Sequence, residues 1–333
     1  MRVLISAGWM GGAGGAERAL YSILRSLQQD EVDVVVRHRL DGEWSRATSA
    51  RVALVDSPHW WGAGHEQGIK GRILQRVVNP ARRLVHPRYD LYLQFLSGAF
   101  VAPAARASVR LLIPSGNQVP EHIADRFDAV AMQAPDNESL VPTSTRAVLL
   151  APPVFDLARE AEPPAVALPD AFLLTVFNPY DPIKGMQDLA AVLATAPLPL
   201  VWCHSEATVK FEIPASLLEH PRIVHVTDAN PAQLRHLYER CAAYVSFSLT
   251  EGFGWSAADA LRYSPAVATR RIGLFSDEAA WRQPGVLTVG DDGGIDWKQL
   301  LGEACPPSRR DLGVIDGRTF RARLTEIVES FDG

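Results

Sequence analysis

The sequence predicts an α/β protein built from two doubly wound domains, and three observations carry that prediction. Short, continuously apolar strands alternate with segments of helical periodicity along most of the chain. One proline-rich stretch interrupts the alternation near the middle. The length, 333 residues, suits two domains. Uninterrupted apolar strands joined by helices indicate a parallel sheet covered on both faces.

The first strand is RVLIS (2–6), followed by a Gly-rich turn. A helix is predicted from about Gly15 to Gln29, because Ala16, Ala19, Leu20, Ile23, Leu24 and Leu27 recur at helical spacing. Further strands are read at 32–36, 51–55, 90–95, 109–113, 128–133 and 146–151. Residues 152–169 hold five prolines and read as a stiff, extended connector. Strands then resume at 171–177, 199–203, 222–226, 243–247 and 266–269. Helices are expected from about Gly185, near 231–241, from about Gly254 and over 315–331. The expected division is 1–152, a linker over 153–169, and 170–333, with the last helix placed to return to the first domain. In doubly wound sheets ligands bind beyond the carboxyl ends of the strands.

Composition narrows the function classes. Hydrophobic residues make up 47% and charged residues 21%, which marks a globular chain. The net charge of −5 argues against a dedicated nucleic-acid binder. Residues 1–160 carry 18 Lys/Arg against 16 Asp/Glu, and residues 161–333 carry 15 against 22, so the halves look like separate units. Cys203, Cys241 and Cys305 are scattered and form no disulfide or zinc pattern; buried apolar cysteines in a reducing, cytoplasmic setting are expected. No apolar run approaches the ~18 residues needed to span a bilayer. Segment 68–110 holds eight basic residues against Asp90 alone, with Trp60 and Trp61 before it. A peripheral contact with an anionic membrane, or a hold on a phosphorylated acceptor, is one reading of it. The plainer reading is a solvated helix face with two core tryptophans.

The chemistry concentrates in YVSFSLTEGFGWSAADALRYSPAVAT (244–269). A strand runs into Glu251-Gly252-Phe253-Gly254 and then a helix opening at Trp255. Glycines permit a sharp turn and close approach by a ligand. The helix start offers free backbone N–H groups, a cradle for a diphosphate. Glu251 precedes the helix and Asp259 follows eight residues later. One carboxylate is expected at the sugar or phosphate end and the other at the ribose hydroxyls. The plain alternative is an acidic loop beside an ordinary helix position.

This stretch resembles the signature of retaining GT-B glycosyltransferases of family four (glycosyl transferases group 1): an EGFG loop, a helix, and a small-residue-Pro-Val strand. In that family the second acid is usually Glu; here it is Asp259, one methylene shorter. The resemblance implies a GT-B fold, two Rossmann-like domains facing a central cleft. It also implies Glu251 against the donor sugar and Asp259 against the ribose. A second segment, FNPYDPIKGM (177–186), is similar to the family's diphosphate-binding stretch, in which an Arg and a Lys stand six residues apart. Lys184-Gly185 matches the Lys half; Asn178 stands at the Arg position and carries no charge. Two cations there would stabilise the departing nucleoside diphosphate. Arg18 is a candidate substitute. A third segment, Gly14-Gly15-Ala16-Glu17-Arg18, looks like the family's Gly-Gly-x-Glu-Arg stretch. A dinucleotide loop is disfavoured, since Glu17 stands where a third glycine is required.

Weaker signals lie around these. His225, Val226 and Thr227 are candidates for the nucleobase region, with Ser246 and Ser248 leading to Glu251. His204 reads as a strand-end surface histidine. Relatives carry a histidine in the first domain near the transferred sugar; in RLLIPSGNQVPEHIAD (110–125), Ser115, Asn117 and His122 are the candidates. The chain contains no D-x-D. The resemblance therefore implies a metal-independent transfer, with retention, from a UDP- or GDP-type nucleotide-sugar. The acceptor expected is a glycan, a lipid-linked sugar or a small molecule, and no cofactor is expected beyond the nucleotide-sugar itself. A non-catalytic subunit that binds a partner or glycan is the alternative, favoured by Asn178 and Asp259.

Overall fold

The computed structural model describes residues 1–10, 15–39, 51–54, 88–96, 106–116, 118–179, 182–205, 213–290 and 294–331. The chain divides into two compact units: Met1–Pro153 with Ile315–Gly333, and Val154–Val314.

Unit 1 holds a parallel sheet of β1 (Arg2–Met10), β2 (Glu31–Arg39), β3 (Arg51–Leu54), β4 (Arg88–Phe95), β5 (Arg106–Ile113), β6 (Ala129–Met132) and β7 (Ala147–Leu149). The order across it is β3-β2-β1-β4-β5-β6-β7. Central β1 pairs with β2 at Ile5–Val34 and with β4 at Ile5–Leu93. Val3, Leu4 and Ile5 are wholly buried, as a strand covered on both faces requires. Helix α1 (Gly15–Ser26) buries Ala19, Leu20, Ile23 and Leu24, the face its periodicity predicts. It ends three residues earlier than expected, Leu27 already donating to two carbonyls in a closing turn. Short α2 (Glu121–Ala124) follows β5. Arg88, Arg106 and Arg110, from the basic segment, sit on strands and not on a helix face. Lys70, Arg72, Arg76, Arg82, Arg83, Trp60 and Trp61 lie outside the described residues.

Unit 2 repeats the plan. Its strands are β8 (Leu173–Val176), β9 (Leu200–His204), β10 (Ile223–Thr227), β11 (Ala243–Val245), β12 (Val267–Thr269) and β13 (Val286–Thr288), in the order β10-β9-β8-β11-β12-β13. All its pairings are parallel. The helices are α3 (Leu189–Thr195), α4 (Ala215–Leu218), α5 (Pro231–Arg240), α6 (Trp255–Tyr263), α7 (Glu278–Trp281) and α8 (Trp297–Gly302). Asn230 and Gln233 form a reciprocal capping box at the start of α5. A helix was expected from Gly185. Instead two 3-10 turns, Pro182–Lys184 and Met186–Asp188, come first, because Gly185 adopts φ 75° and breaks the helical path. β13 has no counterpart in the sequence reading.

The proline-rich stretch is held to α5 and α6. Arg235 donates to the Ala158 and Arg159 carbonyls, and Arg262 to the Val154 carbonyl and the Asp156 carboxylate. Burial pushes the Asp156 carboxyl up, but a hydrogen bond from Tyr263 and the charge and hydrogen bond of Arg262 outweigh it and leave it lowered.

The last helix, α9 (Gly317–Glu329), belongs to unit 1 and packs beside α1. It buries Phe320, Leu324, Ile327 and Val328 at helical spacing. Arg321 reaches the Asp30 carboxylate, 1% exposed, at 3.1 Å. No helix among the described residues is long and apolar enough to cross a membrane.

Candidate functional site in unit 2

Because every strand of the second sheet runs the same way, all carboxyl ends open on one edge. The order reverses between β8 and β11, which makes that pair the topological switch point where ligands bind in such sheets. The chain leaving β8 carries Lys184, and the chain leaving β11 carries Glu251.

These two side chains meet. Lys184 Nζ lies 2.6 Å from Glu251 Oε1, with side chains 24% and 16% exposed. The backbone fixes the encounter: Leu249 N donates to the Ile183 carbonyl at 2.7 Å, tying the two connections together. Gly185, next to Lys184, lies so close to Phe247 that a Cβ would stand 2.6 Å from the Phe247 Cβ. Only glycine fits both that approach and the positive φ.

The Glu251-Gly252-Phe253-Gly254 loop is braced from below. Leu274 N donates to the Phe253 carbonyl at 2.7 Å, and Phe253 is buried with its ring 4.9 Å from Trp255. Gly254 takes φ 86° and delivers the chain into α6, whose first turn has no side-chain cap. Asp259 is the middle residue of α6, where the helical turn directs it inward; it is 1% exposed. The expected ribose contact would have to be made by a carboxylate enclosed by protein. Beneath the loop, the Tyr244 hydroxyl is 3.0 Å from Ser256 Oγ. Burial first, and the carboxylates of Glu251 and Asp259 after it, push this phenol above its ordinary value.

On the other side of β8, Asn178 Oδ1 accepts from Ser205 N at 2.7 Å, and Ser205 Oγ donates to Asp228 Oδ1 at 2.6 Å. Asn178, Ser205 and Asp228 thus line the ends of β8, β9 and β10, Asp228 with φ 50°. The Asn178 oxygen is engaged by backbone, so this position presents an amide where the resemblance implies a cation. Trp202 is fully buried, stacks on Phe177 at 4.8 Å and donates to its carbonyl. His204 is not a surface residue: it is 8% exposed, and its Nε2 is 3.3 Å from His225 Nδ1. The side chains of Trp202 and His204 fall on one face of β9, and that face is buried. His225 is half-buried and Thr227 exposed at the end of β10.

The remaining candidates are placed elsewhere. Gly15 and Arg18 lie in the first turn of α1, in unit 1. His122 is exposed on α2. Gly14 and Asn117 are outside the described residues. Tyr244 opens the 244–269 stretch and Arg270 follows its end, but nothing in their spacing gave either a role; the folded sheet brings them beneath the loops.

No family model and no curated protein matches the chain. Solved structures do. The Anabaena protein Alr3699/HepE in complex with UDP and glucose is similar over 99% of this chain and 100% of its own, at 15% identity and TM-score 0.66. The lipopolysaccharide outer core galactosyltransferase WaaB matches over 99% of both chains, at 14% identity and TM-score 0.65. Sucrose-phosphate synthase from Thermosynechococcus elongatus matches over 99% of this chain and 96% of its own, at 16% identity and TM-score 0.62. With two parallel, doubly wound α/β sheets, the chain has the GT-B fold.

Proposed function

We propose that the protein is a glycosyltransferase that takes a sugar from a nucleotide-sugar bound at the carboxyl edge of the second sheet. The observation that carries this is the Lys184–Glu251 pair, held at 2.6 Å where the strand order reverses. An ammonium beside the start of α6 suits a diphosphate, which would exchange one anionic partner of Lys184 for another. Glu251 is then released toward the sugar hydroxyls. The HepE complexes with UDP and glucose and with UDP-glucose support a uridine donor.

In the reaction proposed, the bond from the anomeric carbon to the phosphate oxygen breaks, and the acceptor oxygen bonds the same carbon from the same face. Bonding on the face the phosphate leaves retains configuration, and the acceptor proton passes to the departing phosphate oxygen, so no protein base is needed. Lys184 and the amides at 252–256 stabilise the leaving charge, with no metal. Asn178 leaves this cradle one cation short of the pattern it resembles. That favours a second reading, a subunit that binds nucleotide or glycan without turnover.

The test is acceptor-dependent release of UDP from UDP-glucose, or GDP from GDP-mannose, in EDTA, with product configuration read by NMR. The expected result is a retained anomer and a loss of about a hundredfold in Lys184→Ala. Binding without release would favour the second reading. An inverted product, or dependence on a divalent ion, would contradict the first.

A further inference from the structure

Two arginines follow β12, and they turn opposite ways. Arg271 lies over the Trp281 ring at 3.7 Å. Arg270 points into unit 2, its side chain 12% exposed. Its Nη1 donates to the Phe247 carbonyl and reaches the Ser248 carbonyl at 3.5 Å, while Nη2 meets Asp188 Oδ2 at 3.4 Å. The carbonyls belong to the chain leaving β11, four and three residues before Glu251. Asp188 belongs to the chain leaving β8, four residues after Lys184. The Phe247 carbonyl gripped by Arg270 is also the group that crowds Gly185.

We propose that Arg270 is a positioning residue for the donor site: one rigid guanidinium fork fixes both connections and so sets the meeting of Lys184 with Glu251. The inference rests on the glycosyl-transfer reading for its purpose, but not for its geometry. A planar fork suits the task, because it joins two carbonyls on one side to a carboxylate on the other. Lysine offers the charge without the fork. Small displacements of such groups cost rate steeply, which is why a residue that touches no substrate matters to transfer.

The chain has four lysines, Lys70, Lys184, Lys210 and Lys298, so side-chain ammonium NMR of the full protein labelled with 15N-lysine is tractable. The Lys184 signal is assigned with Lys184→Arg. In the wild type it should be a slowly exchanging, carboxylate-bound ammonium. In Arg270→Met it should move to the position of a solvated lysine, and in Arg270→Lys and Asp188→Asn part of the way. The two milder variants decide the matter if Arg270→Met does not fold. An unmoved Lys184 signal in a folded variant would overturn the proposal, as would a wild-type Lys184 that behaves as a solvated ammonium. Titration of the same samples with UDP and GDP separates the two ideas. A wild type that binds neither, yet loses the Lys184 signal in Arg270→Met, keeps the brace and removes the donor reading. Binding by the wild type with an unmoved signal does the reverse. Where both stand, nucleotide affinity in Arg270→Met should fall about tenfold, with partial recovery in Arg270→Lys.

Discussion

Gly185 and Gly254 both sit at positive φ beside the proposed donor site, yet they are unequal. A Cβ at Gly185 would drive into Phe247, backbone included, whereas at Gly254 the nearest atom is Glu251 Cγ at 3.7 Å. Gly254→Ala should therefore cost about 1 kcal/mol, the left-handed strain alone. Gly185→Ala should cost about 3 kcal/mol or more, with loss of the Lys184 geometry. Urea denaturation of the two variants checks the ordering; equal costs would contradict it. The cysteines give a second residue-scale prediction. Burial pushes the Cys203 and Cys241 thiols up to about 12. At pH 8 the native protein should leave both unalkylated by iodoacetamide, and unfolding in urea should expose them. Above about pH 8.5 the unfolded thiols ionise while the native ones keep their protons. The unfolded state then binds fewer protons, so these two groups lower stability as pH rises.

At the scale of elements, α6 matters most, since it carries the proposed phosphate cradle at one end. Its other end is closed by Arg310, 6% exposed, which donates to the Ala260, Leu261, Ser264, Pro265 and Pro284 carbonyls. Burial pushes this guanidinium down from its ordinary value, but the ring of carbonyls and the C-terminal end of the helix dipole favour the cation. Ala260 and Pro265 have second donors, Ser264 N and Cys305 N. Arg310→Met should still deprive the Leu261, Ser264 and Pro284 carbonyls of this donor, at a cost of about 3 kcal/mol. A urea midpoint within error of the wild type would contradict that role. Such a contact was not legible beforehand, because residues 310 and 261 are brought together only by the fold. Apolar strands such as 2–6 and 32–36 were legible, being buried on both faces. β13 was not: its residues are half-buried or exposed, at the sheet's edge, and leave a weak pattern. The Glu251 loop was readable from its glycines before a helix, and Lys184 from the resemblance of residues 177–186 to a diphosphate-binding stretch. The Asn178 hydrogen bond to Ser205, the Tyr244 hydroxyl beneath the loop and the Arg270 fork depend on chain crossings that spacing does not reveal.

For the whole molecule, the chain's last helix belongs to its first unit. Removing residues 315–333 should strip α1 of the Phe320–Val328 face and Asp30 of Arg321. Calorimetry should then show unit 1 melting earlier while unit 2, Val154–Val314, keeps its transition. A parallel drop in both would contradict an independent unit 2. On the proposed function, unit 2 holds a nucleotide-sugar through Lys184 and Glu251. The most direct test is thermal unfolding in EDTA against UDP, GDP, ADP, dTDP and their sugars. Ligand at about a hundred times its dissociation constant should add roughly 2.7 kcal/mol. A rise with one nucleotide family, lost in Lys184→Ala and Glu251→Ala, is expected. No rise with any of them, in a folded protein, would contradict the proposed function.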